Sequence, residues 1–172
     1  KGESLVQHDL NRGLEADYAL VAYGGNDSDY DWAAIDADPA RDHRPRTELP
    51  AFREKLRHTV TMLRERGIQP VLMSLPPIDA ARYLAFICRD GLRKERIMDW
   101  LGDVQMISRH QEMYSDAVTQ LAYAEGLPLI PVREEFLNDH RLMRLIAADG
   151  IHLTMPGYAR LFDTLADWLR IR

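Results

Sequence analysis

The run Tyr18-Ala19-Leu20-Val21-Ala22-Tyr23 is short, apolar and stopped by Gly24-Gly25. That combination reads as a buried strand of a parallel sheet. The two glycines allow a sharp turn at its end and leave room for a ligand beside the backbone. Asn26 and Asp27 follow at the carboxyl end of the strand, the place where open α/β sheets bind their ligands.

The rest of the chain alternates around that strand. Val6, Leu10 and Leu14 recur at four-residue intervals with Leu5 beside them, so residues 4–15 are expected to form a helix packed on the sheet. Residues 27–47 are polar, carry proline and lack a period, and read as a long loop over the site-bearing edge. Thr47 is expected to cap a helix with Glu48 and Pro50 in its first turn, the stripe Leu49, Phe52, Leu56, Val60 and Leu63, and a stop at Gly67. Pro70 to Leu75 reads as a second buried strand, ended by Pro76-Pro77.

Residues 79–101 read as one or two helices broken around Gly91, and residues 104–125 as a long helix closed by Gly126. Leu129-Ile130-Pro131-Val132 is a third short strand, followed by short helices over 133–147. A final helix carries the stripe Tyr158, Leu161, Phe162, Leu165, Trp168 and Leu169, expected to face the core. This alternation predicts a doubly wound, three-layer α/β/α sandwich in one domain spanning residues 1–172. Three strands fall short of the usual five or six.

Composition excludes several classes. With a net charge of −5 the chain has no electrostatic call for nucleic acid or an anionic membrane. No apolar stretch nears the ~20 residues of a membrane span. Basic clusters at residues 41–46 and 93–96 are interleaved with acids or proline and read as solvated surface. A single cysteine, Cys88, forbids an internal disulfide and a cysteine zinc cluster; it lies on an apolar helical segment with Tyr83, Leu84 and Ile87. One cysteine is compatible with a reducing compartment, and a cytoplasmic location is expected.

Chemistry concentrates in two places. The Asn26 amide at a strand end is suited to donate a hydrogen bond to a developing oxyanion. Far downstream, Asp149 and His152 bracket Gly150-Ile151, close enough for the carboxylate to fix the imidazole as a general base. The competing readings are a turn-forming Asn and a helix-flanking His; the two motifs together favour catalysis.

Gly24-Gly25-Asn26-Asp27, Asp149-Gly150-Ile151-His152 and the following Leu153-Thr154-Met155-Pro156-Gly157-Tyr158 resemble, in this order, blocks of the SGNH or GDSL-type hydrolases. Pro76-Pro77 after the second strand also resembles that family. The resemblance implies a flavodoxin-like fold and a serine esterase in which Asp149 and His152 belong to the triad and Asn26 to the oxyanion hole. It implies short acyl esters, O-acetyl groups of carbohydrates among them, and no metal or organic cofactor. The partner is then a small-molecule or carbohydrate ester.

Gly2-Glu3-Ser4-Leu5 looks like the family's Gly-Asp-Ser-Leu nucleophile block. A strand–helix–strand unit of roughly 30 or more residues should, however, separate that serine from the Asn-bearing strand. The stretch from Ser4 to Asn26 holds one helix and one strand only. The better register places Gly2 on the family's second block, as a backbone oxyanion donor, with Ser4 at a helix start. The first strand, the nucleophilic serine and the second strand are then expected upstream of residue 1.

Gly25, Asp27 and Trp32 are candidate substrate contacts, with Asp27 bracing its loop and Trp32 either stacking on substrate or anchoring the loop with Asp29, Tyr30 and Asp31. Arg109, His110, Tyr114 and Asp116 share a helix and read as a solvated face. His8, His43, His58 and His140 show no ligand spacing. Two rival readings stand beside the esterase: a metal-dependent phosphoesterase using Asp27, Asp149 and His152, and a non-catalytic domain of the same fold.

Overall fold

The computed structural model describes residues 2–170. Three strands, β1 (Tyr18–Val21), β2 (Gln69–Met73) and β3 (Leu129–Ile130), form one parallel sheet in the order β1-β2-β3. Leu20 stands beside Val71 and Met73 beside Ile130 in the register. Around them run α1 (Gly2–Asn11), α2 (Trp32–Ala37), α3 (Leu49–Glu65), α4 (Ala80–Cys88), α5 (Lys94–Leu101), α6 (Met106–Ala124), α7 (Val132–Leu137), α8 (Leu142–Leu145) and α9 (Met155–Arg170).

Side chains alternate across a strand, and the two faces of β2 define two cores. Leu72 and Val21 pack with Leu10 of α1, with Phe52, Leu56, Val60 and Leu63 of α3, and with Tyr114 and Val118 of α6. Val71, Met73 and Ile130 face the other way, onto Val132 and Phe136 of α7 and Leu161, Leu165 and Trp168 of α9. Helices therefore cover both faces, as the alternation predicted. A fully buried Leu or Phe contributes about 1.5–3 kcal/mol, so the α3 stripe alone fixes that helix to the sheet. A third cluster joins Trp32 and Ile35 of α2 to Tyr83 and Leu84 of α4 and Ile97 of α5, beside the cleft described below.

The structure corrects the sequence reading at several elements. Residues 27–47 are not all loop. Asp31 accepts a hydrogen bond from the Ala34 amide and starts α2, whose Ile35 is fully buried. Six residues are too few to show a helical period. Thr47 does not cap α3; Glu48 holds the cap position without a side-chain bond. The Thr47 backbone is occupied elsewhere, its amide donating to the Asp27 carbonyl and its carbonyl accepting from the Tyr114 hydroxyl. β3 ends at Ile130, because Pro131 has no amide hydrogen to donate and Val132 already begins α7.

The final helix starts at Met155, after the Asp149–His152 turn, with the Thr154 hydroxyl accepting from the Gly157 amide at its first turn. Only half of its stripe faces the core. Phe162 and Leu169 remain 64% and 65% exposed. The first strand is likewise half covered: Val21 is buried, whereas Tyr18 and Leu20 are 63% and 49% exposed at the free edge of the sheet.

Candidate active site

At the end of β1 the backbone turns at Gly24, whose φ of +129° excludes a side chain; a Cβ there would also lie 2.9 Å from Leu75 Cδ1. The turn is closed by the Ser28 amide on the Gly24 carbonyl (3.0 Å) and the Ser28 hydroxyl on the Gly25 carbonyl (2.9 Å). Gly25 and Asn26 are thereby held at the tip, exposed to solvent. Among the described residues no group bonds the Asn26 carboxamide, so both of its amide hydrogens are available. The main-chain carbonyl of Asp27 accepts from the Thr47 amide (3.1 Å), which ties the loop down just before α3.

The second half of the site is a pinched turn. Ile146 and Leu153 form an antiparallel bridge at its base, and the Ala147 amide donates to the His152 carbonyl at 2.8 Å. Gly150, at φ +82°, lies so close to α4 that a Cβ would come within 2.4 Å of the Tyr83 amide nitrogen. Inside the turn, Asp149 Oδ1 accepts from the Ile151 and His152 amides, both at 3.0 Å. Its Oδ2 lies 2.7 Å from His152 Nδ1. Burial pushes the Asp149 carboxyl up, but the His152 amide and imidazole bonds and the Ile151 amide bond outweigh it. The net effect holds its pKa below the ordinary carboxylate value. An ionised Asp149 therefore takes the Nδ1 proton as its hydrogen-bond donor, which leaves Nε2 as the basic nitrogen. His152 is 69% exposed, with Nε2 free of any described partner.

Both halves open into one cleft of about 370 Å³. Gly25, Asn26, Asp27, Trp32 and His152 all line it. Met73 at the end of β2, Leu75 and Pro76 just beyond it, and Ile78, Ile107 and Ile151 also line it. Asp149 stands behind His152. Gly2 is outside the lining, one layer back: a Cβ on it would meet the ring of Tyr23, which does face the cleft. Ser4 is exposed on α1, also outside the lining, and Ser28 is buried with its hydroxyl committed to Gly25.

Trp32 lines the cleft but is buried, its indole N–H donating to Asp29 Oδ1 (2.9 Å) and to the Tyr83 hydroxyl (3.2 Å). It anchors the loop while forming part of the wall. The expectation of a solvated face on α6 is corrected at two positions. Tyr114 is fully buried under the loop, and His110 is half-buried against Tyr30, their polar atoms 3.2 Å apart. Desolvation lowers the His110 pKa and favours its neutral form. Arg109 and Asp116 are exposed as expected, Arg109 pairing with Asp103. The 93–96 cluster is likewise more than solvated surface, since Arg93 and Arg96 both bond to the buried Asp36 of α2.

Tyr83 and Gln111 are cleft residues that the sequence did not mark. Tyr83 sits on an apolar helical stretch and Gln111 among polar helix residues, neither with a local signal of its role. Among the described residues no group of three His, Cys, Asp or Glu side chains is gathered for a metal ion, so Asp27 is not brought together with Asp149 and His152 as the phosphoesterase reading requires.

A parallel sheet covered on both faces, with its cleft at the carboxyl ends of the strands, is the α/β arrangement of the hydrolases it resembles in three dimensions. A lipase/acylhydrolase from Enterococcus faecalis superimposes with a TM-score of 0.60 at 18% identity, over 92% of this chain and 65% of that one. An alpha/beta hydrolase enzyme from the metagenome of Lake Arreo, Spain, gives 0.62 at 19% identity, over 96% and 65%. The model of the GDSL-like Lipase/Acylhydrolase family matches residues 2–160, and the chain belongs to that family. Among curated proteins, an isoamyl acetate-hydrolyzing esterase of Saccharomyces cerevisiae is 23% identical over 118 residues, 68% of this chain and 46% of the esterase. The chain thus spans about half the length of that relative.

Proposed function

We propose that the protein is a serine-type carboxylic ester hydrolase, and that these 172 residues supply its base, its orienting carboxylate and an oxyanion donor, the Asn26 amide. The observation that carries this reading is the Asp149–His152 pair, 2.7 Å apart, with Nε2 open to the cleft that Asn26 also lines. In the reaction, His152 Nε2 takes the proton of a serine hydroxyl as its oxygen attacks the ester carbonyl. The tetrahedral oxyanion is stabilised by the Asn26 amide; Gly2, expected from the sequence to be a second donor, lies behind Tyr23 and outside the cleft lining, and takes no part. Collapse expels the alcohol, which takes the proton from the imidazolium. Water, deprotonated by His152, then releases the acid from the acyl-enzyme.

The serine comes from outside residues 1–172, on a strand that pairs with the free edge of β1. The exposed Tyr18 and Leu20 support this, as do Phe162 and Leu169 on α9, which covers the same face of the sheet. Short acyl esters are the substrates, with O-acetyl groups on carbohydrates the favoured case. A cleft of about 370 Å³ is at the small end for ligand sites, and Asp27 and Asp29 give it a polar rim.

A fluorophosphonate reacts only with a serine activated by a neighbouring base, and mass spectrometry of the labelled full-length protein tests the assignment. The adduct is expected on a peptide outside these 172 residues, Ser4→Ala is expected to label normally, and the 172-residue piece alone is expected not to label. An adduct on Ser4 would make Gly2-Glu3-Ser4-Leu5 the nucleophile block and overturn this assignment.

A further inference from the structure

Among the described residues no hydrogen bond or ion pair joins the two halves of the site to each other, whereas both are bonded to α4. On the His152 side, the Asp79 amide donates to the Gly150 carbonyl at 2.8 Å, and Gly150 sits against the Tyr83 and Asp79 backbone without room for a Cβ. On the Asn26 side, the Tyr83 hydroxyl donates to Asp29 Oδ1 at 2.8 Å. Asp29 belongs to the oxyanion loop and also accepts from the Trp32 indole and pairs with Arg46 at 3.2 Å. Tyr83 is therefore the residue whose backbone touches the base turn and whose side chain ties down the oxyanion loop.

Resting on the esterase reading above, we propose that Tyr83 is a positioning residue that sets the distance between His152 and Asn26 across the cleft. Its hydroxyl is suited to the task. It is a buried, charge-assisted donor, a stronger bond than a neutral pair makes, and burial and the Asp29 charge both keep the phenol protonated. Removing the hydroxyl frees Asp29 from α4 while leaving the ring that fills the third cluster. The oxyanion loop then drifts from the base, and a misplacement of about 1 Å is enough to lower turnover up to ~10²-fold.

The test is a double-mutant cycle in the full-length protein, with active sites counted by fluorophosphonate so that turnover refers to folded enzyme. Tyr83→Phe is expected to lower kcat about tenfold with KM unchanged within about twofold. In an Asn26→Ala background it is expected to cost less than about twofold, because the group it positions is gone. Asp29→Asn breaks the charge assistance from the other end and is expected to show the same dependence on Asn26. It carries the test if Tyr83→Phe does not fold. An equal loss with and without Asn26, a loss in KM alone, or no loss would overturn the proposal. His152→Ala measured alongside separates this outcome from failure of the esterase reading, since only the latter predicts retained turnover in that variant.

Discussion

His152→Ala in the full-length protein is expected to reduce hydrolysis of an activated short-chain ester by several powers of ten, about 10⁴- to 10⁶-fold. The reason is specific to the geometry. His152 Nε2 is the basic nitrogen facing the cleft, and Asp149 at 2.7 Å holds the other nitrogen protonated. Asp149→Asn keeps the size and two amide-accepting positions but turns the tautomer, and it is expected to cost about 10⁴-fold. Residual activity above the uncatalysed rate should persist in both, from the Asn26 amide and substrate binding. Initial rates with a chromogenic acetate ester check the pair. Turnover near that of the wild type in folded His152→Ala protein contradicts the catalytic role.

Asn26→Ala is expected to lower kcat by about two to three orders of magnitude with KM little changed. Its carboxamide bonds nothing else among the described residues, so the substitution disturbs no packing and leaves the turn held by Ser28. The lost bond strengthens only as the carbonyl oxygen becomes charged, which places the loss in the transition state and not in substrate binding. A raised KM with unchanged kcat would make Asn26 a ground-state contact.

Much of this site was legible because its two halves are local in sequence. Gly24 to Asn26 sits at the end of an apolar run, and Asp149 and His152 lie within one turn, so neighbours on the chain are neighbours in space. The strands and long helices were legible for the same reason, since Phe52, Leu56, Val60 and Leu63 repeat with the helical period. What could not be read depends on contacts between distant residues. Nothing near Tyr83 announces that its hydroxyl meets Asp29, and nothing near Tyr114 announces that the 27–47 loop folds over it. Short α2 is set by one cap and one buried isoleucine, below the length at which a period shows. The exposed half of the α9 stripe went the other way: the period was correct, but the described residues offer Phe162 and Leu169 nothing to pack against.

Asn26 and His152 are expected to act on one reacting carbon bound to a serine from outside this segment. A crystal structure of the full-length protein with a covalent phosphonate measures this directly. A phosphonyl oxygen is expected about 3 Å from the Asn26 amide nitrogen, with His152 Nε2 within hydrogen-bond reach of the modified serine oxygen, at about 2.6–3.2 Å. A phosphonate on Ser4 or Ser28, or one whose oxygen points away from Asn26, would contradict it.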